Sequence, residues 1–88
     1  MSNPEGLAVL GLTVGENVRW RPLQGGRWHN GRVTGRESDG SIGVVDSRGL
    51  ARSIEVDRLE VTATGARGAR TWEPLTDRAG RSEQLKLL

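Results

Sequence analysis

Between Gly15 and Val61 the apolar residues come in short Val, Ile and Leu runs, each broken within a few positions by Gly, Asp, Ser or Pro. Alternation with period two over such short runs is the pattern of half-buried strands joined by tight turns, and it leaves no room for a long amphipathic helix. With 13 glycines and neither Phe nor Tyr among 88 residues, the chain reads as one small antiparallel β-domain. Cysteine is absent, which excludes a disulfide framework, a thiolate metal site and cysteine nucleophiles.

The first strand is predicted at residues 16–21, where Val18 and Trp20 alternate with Arg19 and Arg21, so that the apolar pair faces inward. Pro22 ends it. A second strand is predicted at residues 27–37. There Trp28 and Val33 have opposite parity and would share a face only across a bulge, for which Gly31 is the natural site. The Asp39-Gly40 pair suits a tight hairpin leading to a third strand at residues 41–46, with Ile42 and Val44 inward. The return strand, residues 50–55, places Leu50, Arg52 and Ile54 on one face, with Arg52 at the rim. Residues 56–58 suit a single 3₁₀ turn, and residues 59–61 close the sheet.

The order G-E-x-V-x-W at Gly15 to Trp20, W-H-x-G-x-V at Trp28 to Val33, I-G-V-V-D at Ile42 to Asp46 and V-D-R-L at Val56 to Leu59 resembles the SH3-like barrels of Tudor, KOW and related chromatin or transcription domains. The resemblance covers about residues 14–61 and implies an all-β, five-stranded SH3-like barrel. It implies little about function, because such barrels bind methylated peptides, proline-rich peptides, nucleic acids or polymerase surfaces. Residues 1–13 are expected to form an N-terminal arm, residues 62–70 (TATGARGAR) a flexible linker, and residues 71–88 a marginally helical interaction tail in which Gly80 weakens the helix.

No catalytic constellation is present: His29 is the single histidine, and the carboxylates lack metal-ligand spacing, so neither an enzyme nor a cofactor or metal site is expected. A methyl-lysine cage needs several aromatic faces around one cation, whereas the barrel segment holds only Trp20, expected in the core, and Trp28, expected half-buried at the rim. The net charge of +2 decides little, but from Val18 to Arg36 there are five arginines and no acid. Arg19, Arg21, Arg27, Trp28 and Arg32 are therefore the candidate nucleic-acid contacts, with weak binding of DNA or RNA expected from phosphate neutralisation and base stacking.

The last five residues, Gln84-Leu85-Lys86-Leu87-Leu88, resemble the bacterial β sliding-clamp-binding motif. That resemblance implies polar contacts from Gln84, an anchor at Leu85, and Leu87 with Leu88 in a hydrophobic pocket, Leu88 standing where Phe is commonest. The strand-like spacing of Leu85 and Leu87 favours an exposed motif over a helical one. The expected function is thus a monomeric, cytoplasmic, non-enzymatic accessory of bacterial DNA replication or repair, tethered to the clamp. The alternative is a transcription- or translation-associated module binding RNA or RNA polymerase through the barrel. The apolar run near the N-terminus is too short for a membrane span or a signal peptide.

Overall fold

The computed structural model of the chain describes residues 4–86. It is mostly β: strands β1 (Asn17–Trp20), β2 (His29–Arg36), β3 (Ile42–Asp46), β4 (Ala51–Ile54), β5 (Leu59–Thr64) and β6 (Arg70–Pro74), followed by one helix, α1 (Leu75–Lys86). All six strands belong to one antiparallel sheet in the order β4-β3-β2-β1-β5-β6. Strand β1 is its centre, with Val18 opposite both Gly31 and Val61, and Trp20 opposite both His29 and Leu59.

One face of this sheet makes the core. Val18, Trp20, Val33, Ile42, Val44, Ile54, Leu59 and Val61 are buried on it, which is the inward set that period-two alternation selects. Leu7 and Leu12, with a 3₁₀ segment over Pro4–Leu10, and Leu75 at the start of α1 close over that face. Leu7 and Leu12, expected in a separate N-terminal arm over residues 1–13, are therefore part of the core. Arg36 fastens them by donating from Nη1 to the Gly6 carbonyl at 3.3 Å.

The segment expected as a linker is a β-hairpin. Thr62, Ala63 and Thr64 pair with Trp72, Thr71 and Arg70, and the chain turns through Arg67 and Gly68, both at positive φ. Small polar residues concealed these strands because backbone hydrogen bonds, rather than buried side chains, hold an edge pair. The sheet accordingly has six strands where five were expected, and of the tail expected at residues 71–88 to be marginally helical, residues 71–74 belong to β6 and residues 75–86 form a 12-residue helix. Arg78 ties that helix down: it donates to the Gly11 carbonyl at 3.2 Å and the Thr62 carbonyl at 2.6 Å, and pairs with Glu16.

Two further expectations are corrected. The irregularity in β2 falls between Val33 and Gly35, not at Gly31, and Trp28 precedes the strand, so Trp28 and Val33 do not share a face. Gly31 serves a different end: a Cβ there would lie 2.6 Å from the Val45 carbonyl oxygen and 3.0 Å from the Trp20 indole, an approach only glycine permits. Leu50, expected inward, precedes β4 and is exposed, whereas Arg52 does sit at the rim with its Nε on Asp46 Oδ2 at 2.8 Å.

Candidate nucleic-acid interface

The other face of the sheet carries Arg19, Arg32 and Arg70, whereas Arg36 and Arg52, opposite Ile42 and Val44, share the parity of the core face. Register decides its membership: Arg19 lies opposite Asn30 on one side and Glu60 on the other, Arg32 lies opposite Asn17, Thr62 opposite Trp72, Thr64 opposite Arg70 and Glu60 opposite Pro74. Directly opposed residues share a face. The outer surface of β2, β1, β5 and β6 thus carries Arg32, Arg19 and Arg70 with Trp72, and Arg21 continues it beyond the end of β1. Glu60 is the one acid that the register of these four strands puts on this face.

The guanidinium of Arg19 is the hub. Its Cζ lies 3.9 Å from the centroid of Trp28 and 4.7 Å from that of Trp72, and the Cζ of Arg21 lies 4.2 Å from Trp28. Each such stack contributes roughly 0.5–1 kcal/mol at an exposed site. Arg19 also donates from Nε and Nη2 to Glu60 Oε1, at 2.9 and 2.6 Å. With both partners about a quarter exposed, this ion pair adds little stability of its own, but it fixes the guanidinium in orientation. Arg19 is therefore committed within the protein. Arg21, Arg32 and Arg70 have no carboxylate partner among the described residues.

Of the sequence-predicted contacts, Arg19, Arg21 and Trp28 are brought into one cluster. Arg32 lies one strand away on the same face, and Arg27 is exposed in the loop between β1 and β2. Trp72 and Arg70 were missed. The signal was available in residues 70–74, Arg-Thr-Trp-Glu-Pro, whose alternation matches the face, but the Gly- and Arg-rich stretch before them concealed the hairpin. Of the C-terminal motif, Gln84 and Leu85 fall in the last turn of α1, against the expectation of an extended segment. Leu87 and Leu88 lie outside the described residues.

The carboxylates are held elsewhere by local bonds. Asp46 Oδ1 accepts from the Arg48 and Leu50 amides at 2.9 and 3.0 Å, closing the turn between β3 and β4. The Arg52 hydrogen bond, seconded by the Leu50 amide, pulls the Asp46 carboxyl down from 3.8 to about 2. Glu73 is lowered chiefly by its hydrogen bond from Arg81. Asp46 is neutralised across its own hairpin and Glu73 by arginines of α1, so these two acids subtract little from the field above the arginine face. Among the described residues no helix is long and apolar enough to cross a membrane. Compared with protein-family models, curated proteins and solved structures, the chain gives no match.

Proposed function

We propose that the chain is a non-enzymatic binding module with an SH3-like core that holds single-stranded nucleic acid across its arginine–tryptophan face. The SH3-like reading is supported by the pairing of β1 with both β2 and β5 and by the 3₁₀ turn at Val56–Arg58 just before β5. The observation that carries the ligand reading is the sheet face on which Arg21, Arg32 and Arg70 surround the Arg19, Trp28 and Trp72 cluster with one acid between them. Unpaired guanidiniums neutralise phosphates, and flanking indole edges offer apolar surface to bases without selecting a sequence. Fluorescence anisotropy with a labelled oligothymidylate at low salt tests it. Arg21→Glu with Arg32→Glu should abolish most of the binding while the circular dichroism spectrum stays that of the parent, and undiminished binding by the double variant refutes the reading.

A second contact, with a bacterial β sliding clamp through residues 84–88, is favoured by how α1 is held. Among the described side chains its anchors are Leu75, Arg78 and the Arg81 pair with Glu73, and Gly80, between Arg78 and Arg81, faces open space. A last turn beyond a glycine unwinds cheaply, leaving Gln84, Leu85, Leu87 and Leu88 to bind as an extended peptide. The whole chain should bind purified clamp with a dissociation constant on the order of micromolar. Leu87→Ala with Leu88→Ala should lose most of that affinity, and a parent chain that fails to bind at high-micromolar concentration removes the clamp. Joined, the two contacts make an accessory of bacterial DNA replication or repair.

A further inference from the structure

We infer that the groove where the β1–β2 loop meets β4 is a base-binding pocket, which takes one nucleotide of the strand held on the outer face. The inference rests on the nucleic-acid reading above. The groove measures about 440 Å³, within the range of sites for small organic ligands, and Trp20, Leu23, His29, Arg52, Ile54 and Arg58 supply most of its chemistry. No carboxylate lines it.

Its floor is aromatic. The rings of Trp20 and His29 lie nearly parallel, 16° apart with centroids 6.1 Å from each other. Trp20 is only 3% exposed, so it belongs to the core, whereas His29 is exposed and presents the accessible plane. A base laid on His29 would extend the stack by one layer, in the offset arrangement that aromatic rings prefer.

Its walls are cationic and already oriented. Arg58 donates from Nη2 to the Arg21 carbonyl at 2.6 Å, and Arg52 donates from Nε to Asp46. A guanidinium has five N–H groups in a fixed fork, so each arginine keeps donors for a phosphate while being held in place by the protein.

Its connection to the outer face is continuous. A second depression, of about 320 Å³, is lined by Arg21, Trp28, Pro74 and two carboxylates, Asp57 and the Arg19-paired Glu60, and it shares Pro22, Leu23 and Arg58 with the groove. A strand lying along Arg21 and Trp28 would therefore pass over Pro22 and Leu23 and bring its next base above His29. Leu23, 83% exposed at the crest, gives that crossing an apolar ridge. An acidic peptide would satisfy the arginines but would leave the ring platform unused, and the path from the phosphate-binding face favours a nucleotide.

The test is a titration of ¹⁵N-labelled protein with a ten-residue oligothymidylate, a four-residue one, and thymidine monophosphate, followed by amide shifts. The ten-residue strand should move His29, Ser53, Ile54 and Arg58 together with the outer-face amides. The four-residue strand should move the outer face alone, and the mononucleotide at high concentration should move the groove. His29→Ala should weaken binding of the ten-residue strand about tenfold, the size of one lost base–aromatic stack, and leave the four-residue strand unaffected. Leu23→Glu, at a loop position outside the core, should act in the same direction. Groove amides that stay still while the outer-face amides move, with unchanged affinity in both variants, overturn the pocket and leave the outer face standing. Amides still at both places overturn both readings. Groove amides moved by an acidic, leucine-containing peptide and not by the oligonucleotide overturn the pocket in favour of a peptide site.

Discussion

Replacing Arg21 and Arg32 by glutamine should change the salt dependence of nucleic-acid binding by an amount the structure sets. Arg19 is bound to Glu60, which leaves Arg21, Arg32 and Arg70 on the outer face to meet the phosphates of a four-residue oligothymidylate, a strand too short to reach the groove as well. Each phosphate neutralised on a single strand contributes about 0.7 to the slope of log affinity against log salt, so three give a slope of about −2.1. Between 50 and 200 mM salt the parent should then lose affinity by about 20-fold. The double variant keeps only Arg70, with a slope of about −0.7, and should lose about 3-fold over the same range. Anisotropy titrations of that oligothymidylate, labelled, at four salt concentrations measure both slopes, and circular dichroism verifies the fold. Arg19→Gln is the wrong probe, because it would strand Glu60 beside two indoles and confound binding with stability. Equal slopes in parent and variant would show that these arginines do not meet phosphates.

Three further outcomes concern the scaffold. Gly31→Ala should destabilise the fold by about 1–3 kcal/mol, because its methyl must displace the Val45 carbonyl or the Trp20 indole; an unchanged melting temperature would refute that close approach. Gly80→Ala should stabilise by up to about 1 kcal/mol, since the added methyl meets open space, and an unaltered thermal midpoint would mean that α1 melts apart from the sheet. Asp46→Asn should be less stable than the parent at neutral pH in urea unfolding. The Asp46 carboxyl is held at about 2 in the folded protein against an ordinary 3.8, so its stabilisation is present above about pH 4 and is lost as pH falls toward 2. The gap between parent and variant should therefore narrow between pH 4 and pH 2, and a gap constant with pH would refute the assignment.

The strands at the centre of the sheet were legible because burial imprints alternation on them. Val18 with Trp20, Ile42 with Val44, and Leu59 with Val61 each announce an inward pair, and all six are buried. The candidate contacts Arg19 and Arg21 followed from the same parity, as their outward complement. Where side chains did not carry the pairing, the sequence was silent. Thr62, Ala63 and Thr64 bond through their backbones to residues 70–72, and only that hairpin brings Trp72 against Arg19. The tail read as only marginally helical for a related reason: α1 has low intrinsic propensity at Gly80 and is held by Leu75 in the core and by Arg78 bonded to three distant segments.

By itself, then, the order of residues determined a small β-sheet, its inward face and the basic character of its outward face, since each depends on neighbours two positions apart. The tertiary structure alone decided the rest. That Arg19 is committed depends on Glu60, Trp28 and Trp72, which lie 41, 9 and 53 positions from it in the chain and meet it only through the register of β1, β2, β5 and β6. The rim groove has the same origin, because His29, Arg52 and Arg58 gather around Trp20 only after the sheet has paired and curled over its core. Local alternation can assign a side chain to a face, but only pairing between distant strands assigns it a neighbour.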